Sequence, residues 1–388
     1  MKTFRLQCLR EHSFNIALTP DFFQDGDTGL ADAVRNRKLL VISSRTVSSH
    51  YQYIVRSLLQ RYTSQVAIEV IDLSERAKVT ETLLQVCSLA QKHGMGRDSL
   101  LVAVGGGVCC DITGFTASII RRGIAYVRIP TTLLAMVDAA VGLKCGVNLG
   151  DSKNYLGSFF PPRHVVVCPS FLATLPAQHL RQGLSEIVKM ALVRDQELFS
   201  TMESAGTQMV EPAFFLPDGS GHRVIARAIA LMVEELAKNP FEAQGLQRLV
   251  DFGHTFSPTL EALTGYTMLH GDAVAIDMML TAEISHRLGL LRTSDLERMH
   301  ALFQRLDLPS YSPVLDEEAC RQAIAGAMLH RGGSMNLVVP TAIGEAAFIE
   351  DPEVITPLLG PSLLALCRRA EAGPQPDDHV GTAWSRAS

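Results

Sequence analysis

The stretch 99–123, SLLVAVGGGVCCDITGFTASIIRRG, decides how the first half of this chain folds. An apolar run from Leu100 to Val104 stops at Gly105, Gly106 and Gly107, and an apolar-periodic segment to Ile120 follows. That order is a strand, a tight turn and a helix. Glycines at such a turn let the backbone approach a phosphate, and the free amides of a helix start favour an anion. A plain tight turn uses the same glycines, so the turn alone assigns no ligand. The sequence up to Asn154 adds Asp111, Arg121, Arg122, Thr131, Thr132, Asp138, Lys144, Lys153 and Asn154 on an apolar background. That concentration of polar groups points to a site.

Working outward, residues 38–44 (KLLVISS), 66–73 (VAIEVIDL) and 125–129 read as further strands, with 47–62 and 81–93 as helices between them. Residues 4–18 read as a short polar–apolar strand region. Strands alternating with helices imply a mostly parallel sheet covered on both faces. Ligands of such sheets sit at the carboxyl ends of strands, where the glycines fall. After Pro176 the period changes to helical: 177–203, 223–238, 255–263, 272–288, 293–306 and 317–329, with one strand-like run at 335–340 and a loop at 217–221. The expected organisation is an α/β nucleotide-binding domain over 1–172, an all-α metal-binding domain over 173–369, and a polar, proline-bearing tail over 370–388.

Composition narrows the function classes. Of 388 residues, 47% are hydrophobic and 19% charged, which describes a globular chain able to bury two cores. A net charge of −5 gives no general attraction to nucleic acid or an anionic membrane. No apolar run is long enough to span a bilayer, and charges interrupt the N-terminus, so a cytoplasmic location is expected. The eight cysteines form no CxxC pair and read as reduced, mostly buried thiols.

Three residues of the helical half stand out. Glu186 lies one helical turn before Lys189, so both project from one face. His254 and His270 each neighbour a glycine near a helix start. Two imidazoles and a carboxylate make a three-ligand metal set that leaves a position open. Taken singly, each histidine is better read as a hydrogen-bonded core or surface residue and Glu186 equally well as a solvated helix charge, and composition does not lift them above that.

Read together, GGGVCCDITGFTAS, RRG, PTTLLAMVDAAVGLKCGVN, KNYLGSFFPP, TLPAQHLRQGLSEIVKMAL, DFGHTF and LHGDAVAIDMM resemble, in order, the sugar-phosphate cyclases of the 3-dehydroquinate synthase superfamily. The resemblance runs from about Glu75 to Gly333. It implies a dehydroquinate synthase-like fold, a cleft active site between the two domains and a homodimer. It implies that Glu186, His254 and His270 hold zinc or cobalt. It assigns NAD to Gly105, Gly106, Gly107, Asp111, Thr131, Thr132, Asp138, Lys144, Lys153, Thr174 and Gln178, with Glu75 and Lys78 helping. Lys144, Asn154 and Lys189 would face a small sugar phosphate, Asp138 would join the chemistry, and Arg122 would reach a phosphate, in the partner subunit's site.

Departures from the dehydroquinate synthase pattern select the substrate. Gln247 stands where those enzymes carry an arginine for the substrate carboxylate, and an amide does not replace a guanidinium fork. Ungapped counting puts Val233 at the matching upstream lysine. Asp251 and Pro258 replace the Asn and second His of NxGHxxxH, and Arg331 is a candidate phosphate contact. Ser44 takes the place of an acidic residue for the adenine ribose. These changes resemble cyclases of sedoheptulose 7-phosphate, which has no carboxylate. The expected product is 2-epi-5-epi-valiolone; 2-epi-valiolone and desmethyl-4-deoxygadusol stay open as alternatives on the same substrate. Dehydroquinate synthase itself and an iron-type polyol dehydrogenase fit less well.

Overall fold

Residues 2–7, 12–20, 29–150, 152–206, 208, 219–243 and 247–372 are described by the computed structural model. The N-terminal half alternates β1 (Asn15–Leu18), α1 (Leu30–Val34), β2 (Leu39–Ser44), α2 (Arg45–Gln60), β3 (Val66–Ile71), α3 (Thr80–Lys92), β4 (Leu100–Gly105), α4 (Gly107–Ile119) and β5 (Ala125–Pro130). β6 (Lys144–Leu149), β7 (Ser152–Phe159) and β8 (His164–Val167) follow. Six strands form one parallel sheet in the order β1-β8-β5-β4-β2-β3. β2 and β4 are buried almost throughout, as strands covered on both faces must be. The chain leaves β2 for β3 on one side and returns to β4 on the other, so the crevice of this sheet opens beyond the ends of β2 and β4. Ser43 and Gly105 lie at that edge.

β6 and β7 pair antiparallel as a separate hairpin, with Lys144 opposite Phe159 and Gly146 opposite Gly157. The sequence reading gave no strands here, because polar KN-type motifs mask the alternation along β7. Arg128, wholly buried on β5, fixes the approach to this hairpin by donating to the carbonyls of Ala140 (3.2 Å), Gly142 (2.6 Å) and Lys144 (3.1 Å). Only residues 15–18 of the expected N-terminal strand region are β, and residues 8–11 lie outside the described ones.

The second half is built from α5 (Ala177–Arg194), α6 (Gln196–Ala205), α7 (Ser220–Leu236), α8 (Ser257–Leu263), α9 (His270–Arg287), α10 (Thr293–Arg305), α11 (Glu317–His330) and α12 (Leu359–Ala372). The single helix expected over 177–203 breaks at Asp195, whose carboxylate accepts the Leu198 amide (2.8 Å) and starts α6. The half is not purely helical: β9 (Leu337–Ala342) and β10 (Glu345–Ile349) form an antiparallel hairpin against α5 and α9. Of the loop expected at 217–221, Ser220 and Gly221 belong to α7, and 217–218 lie outside the described residues. The expected tail loses its first residues to α12, which runs to Ala372, and 373–388 lie outside the described residues. Among the described residues no helix is long and apolar enough to cross a membrane.

α9 is buried around nearly its whole circumference and packs on α5, α8, α10 and α12. Gly271 allows that closeness, because a Cβ there would sit 2.6 Å from the Gln182 Cα on α5. The two helices that carry Glu186 and His270 are thereby brought into contact.

Candidate metal and nucleotide cleft

Glu186, His254 and His270 converge, each offering one ligand atom within 4.8 Å of the others. Glu186 projects from the middle of α5 and is 1% exposed. His270 opens α9, and its Nε2 lies 3.5 Å from the Glu186 Oε1. His254 sits in the turn before α8, not on a helix as its neighbouring glycine suggested, with Nε2 3.9 Å from the same oxygen. That turn requires Gly253, whose φ is +75° and whose Cβ would press on Val274 and Met278. Asp277 of α9 holds the turn from behind: its Oδ2 accepts the amides of Thr255 (2.9 Å), Phe256 (2.5 Å) and Ser257 (2.8 Å). With those amides taken and Pro258 in the first turn, α8 starts at Ser257 and not at 255.

The hydrogen bonds of the two imidazoles test whether a metal fits. His254 Nδ1 lies 3.0 Å from the Phe252 carbonyl, and His270 Nδ1 lies 2.9 Å from Glu261 Oε1. Each acceptor holds a proton on Nδ1 and aims Nε2 at Glu186, so an Nε2 that has lost its proton presents its lone pair as a metal-bound imidazole does. Neither buried Glu186 oxygen accepts an aligned hydrogen bond, although Oε2 lies against the Lys189 ammonium. This donor set of two nitrogens and one carboxylate suits zinc or cobalt.

Electrostatics follow from the crowding. Burial opposes the Glu186 charge, but Lys189 and the two histidines hold its carboxyl far below the usual range. Burial and the Lys189 charge pull His254 down to about 4. Burial and Lys153 oppose protonation of His270, yet its contacts with Glu261 and Glu186 raise it to about 9. Burial and the Glu186 charge raise Asp138, which lies in a π-turn (Ala135–Ala139) facing the same cluster. Lys189 and Asp138 therefore both face the Glu186 carboxylate.

On the nucleotide side, the glycine turn stands at the crevice of the sheet, with α4 starting at Gly107. The Ser43 and Thr131 hydroxyls at this edge are buried without a hydrogen-bond partner, and the α4 amides face the same crevice. Unpartnered buried donors beside a helix N-terminus fit a pyrophosphate. The Thr132 hydroxyl instead accepts the Ala135 amide (3.2 Å). Lys78, 5% exposed, lies between Asp111 Oδ2 (2.5 Å) and Asn154 Oδ1 (2.6 Å). Asn148, missed from sequence, completes this network by donating to Glu75 (3.2 Å) and accepting the Asn154 amide (2.8 Å). Asn154 has a φ of +53°, a conformation asparagine tolerates.

The remaining expected residues divide. Lys144, at the start of β6, pairs with Glu242, which also takes Arg248. Burial and the Arg248 charge pull Lys144 down to about 8, against the opposing charges of Asp251 and Asp138. Arg248 also grips Asp251 through Nη2 (2.7 and 3.0 Å) and Nε (3.2 Å). Gln247 donates to Glu350 (2.7 Å) at the surface. Arg331 is buried, donating to the carbonyls of Met335 (2.6 Å) and His254 (3.3 Å) and to the Thr255 hydroxyl (3.2 Å). Its observed work is to hold the loop around His254. Thr174, just before α5, bonds the Tyr51 hydroxyl (2.8 Å), and Gln178 lies in the first turn of α5; both are exposed. Arg122 does not join the cluster: it is exposed beyond the far end of α4, about 20 Å from the glycine turn.

Lys153, expected at the nucleotide, pairs with Glu261 Oε2 at 2.5 Å. Glu261 was not singled out from sequence; its place in α8, seven residues after His254, was the available signal.

Two family models cover most of this architecture. Residues 68–182 match the 3-dehydroquinate synthase N-terminal family and 183–328 the 3-dehydroquinate synthase C-terminal family. These matches make the chain a member of the 3-dehydroquinate synthase family, a family of sugar-phosphate cyclases. Within it, the chain is similar to a 2-epi-5-epi-valiolone synthase from Streptomyces hygroscopicus subsp. jinggangensis (strain 5008). Identity is 40% over 358 residues, covering 90% of this chain and 86% of that protein. The structure of that enzyme with NAD+ and Zn2+ bound superposes with a TM-score of 0.89, covering 94% of this chain and 100% of the other. A 3-dehydroquinate synthase from Picosynechococcus sp. (strain ATCC 27264 / PCC 7002 / PR-6) is 34% identical over 359 residues, covering 92% and 98%.

Proposed function

We propose that this chain converts sedoheptulose 7-phosphate to 2-epi-5-epi-valiolone with release of phosphate, as a lyase that depends on NAD and on zinc or cobalt. The observation that carries this reading is the intact Glu186, His254 and His270 set beside a cleft without the carboxylate clamp, where Gln247 is spent on Glu350. The relatives named 2-epi-5-epi-valiolone synthase support it.

When bound, NAD supplies a reversible hydride transfer and the metal supplies Lewis acidity. Glu186 and the Nε2 atoms of His254 and His270 would hold the metal; the Gly105–Gly107 turn, Ser43 and Thr131 would hold the nucleotide. Lys144, Lys189 and Asn154 orient the sugar phosphate. The two ammonium groups balance the phosphate charge and the oxyanions that form as the C–O bond breaks and the ring closes. Asp138, with Glu186, helps to keep Lys189 charged against its burial. Asp251, fixed by Arg248, faces the sugar where dehydroquinate synthases present an asparagine. Within this reading, residues 1–172 form the nucleotide domain and 173–369 the metal domain. The active form is a cytoplasmic homodimer, in which Arg122 serves the partner subunit's site.

The test is phosphate release by purified protein with NAD and zinc or cobalt. Release from sedoheptulose 7-phosphate, without net NADH and with an NMR-verified 2-epi-5-epi-valiolone product, supports the reading. Release only from the carboxylate-bearing substrate of 3-dehydroquinate synthase would overturn it.

A further inference from the structure

Lys153 and Glu261 come from different halves of the chain, and both are committed. Lys153 lies on β7, beside Asn154, which is itself tied to Lys78 and Asn148. Glu261 lies on α8, 3% exposed. One of its oxygens takes the Lys153 ammonium (2.5 Å) and the other faces His270 Nδ1 (2.9 Å). A buried carboxylate with both oxygens occupied has one orientation, and that orientation sets the ring of His270. The hairpin of the nucleotide half thus reaches the metal cluster through one side chain.

We propose that Lys153–Glu261–His270 is a strut that makes metal loading and the order of the β6–β7 hairpin depend on one another, with Glu261 as a positioning residue for the metal ligand His270. The proposal rests on the metal reading of Glu186, His254 and His270. A metal that fixes His270 fixes Glu261, and Glu261 in turn holds β7 through Lys153. The lysine has a second, opposite influence: its positive charge opposes a nearby cation. Cutting the strut at each end therefore gives different results. Loss of the Glu261 charge weakens metal binding and frees the hairpin. Loss of Lys153 frees the hairpin while metal binding stays equal or tightens.

The experiment uses the full chain stripped of metal and nucleotide, so that no nucleotide contact of Lys153 contributes. Zinc affinity is measured by competition with a chelator, and amide exchange is followed over β7 with and without zinc. In wild type, zinc is expected to slow exchange in β7. Glu261→Gln is expected to weaken zinc 10- to 100-fold and to abolish the slowing. Lys153→Met is expected to bind zinc at least as tightly as wild type yet show no slowing, and Lys153→Arg to restore it. Slowing in Lys153→Met equal to wild type, or wild-type zinc affinity in Glu261→Gln, would overturn the strut alone. A wild-type chain that holds no zinc would overturn the metal reading and the strut with it.

Discussion

The Lys78 network and the Glu186 cluster are built on opposite electrostatic plans. On the nucleotide side, Lys78, Asp111, Glu75, Asn148 and Asn154 satisfy one another across short hydrogen bonds. On the metal side, Glu186 is buried without an aligned hydrogen bond, and two imidazole nitrogens point at it. The first network keeps its shape by itself. The second concentrates lone pairs that only a cation or a proton satisfies, so its properties should follow metal and pH much more strongly.

The sharpest way to break this contrast is to remove a ligand. His254→Ala should weaken zinc by more than about a hundredfold and abolish turnover, measured by metal content after dialysis and by phosphate release. Full activity would remove His254 from the site. Next in size is Lys144→Ala, which should lower kcat by about 10²–10³ while zinc affinity stays within a few-fold, because its charge meets the substrate and not the metal. Equal losses in zinc binding and kcat would erase the distinction between the two sides.

A third measurement uses protons. Without metal, His270 holds its proton up to about pH 9, whereas His254 is neutral above about 4. Zinc must displace the His270 proton, so affinity should rise about tenfold per pH unit between those values and level off above 9. Proton release near one per zinc, read by calorimetry in buffers of different ionisation enthalpy, checks the sign; pH-independent binding contradicts it. The smallest effect belongs to Asp277→Ala, which leaves three amides without their acceptor and should cost about 2–3 kcal/mol in denaturant unfolding. Its zinc affinity should change less than that of Glu261→Gln, because Asp277 holds the loop and not the ring.

Legibility in the sequence followed distance along the chain. The strand–glycine–helix unit at 99–123 was readable because its elements are consecutive and their periods differ. The Glu186–Lys189 pairing was readable because helical spacing alone puts both on one face. The β6–β7 hairpin was not, since one side of it is exposed and its alternation is weak. Asp277, Arg128, Asn148 and Glu261 escaped notice for a common reason. Each acts on a backbone group or side chain supplied by another element, and a lone Asp, Arg, Asn or Glu carries no periodic signal. Arg331 reads in sequence as a phosphate candidate, yet burial turns it toward the carbonyl of His254.

By itself, the sequence determined the alternating sheet, the helical second half, the family motifs in their order, and the departures at Gln247, Asp251 and Pro258. Those features depend on local period, backbone freedom and residue type. Only the tertiary structure decided that Nε2 of both histidines is aimed at Glu186, that Arg248 and not Gln247 grips Asp251, and that Lys153 reaches across to Glu261. Hydrogen-bond direction and charge pairing act over a few ångströms, and which groups come that close is set by the packing of α5, α8 and α9.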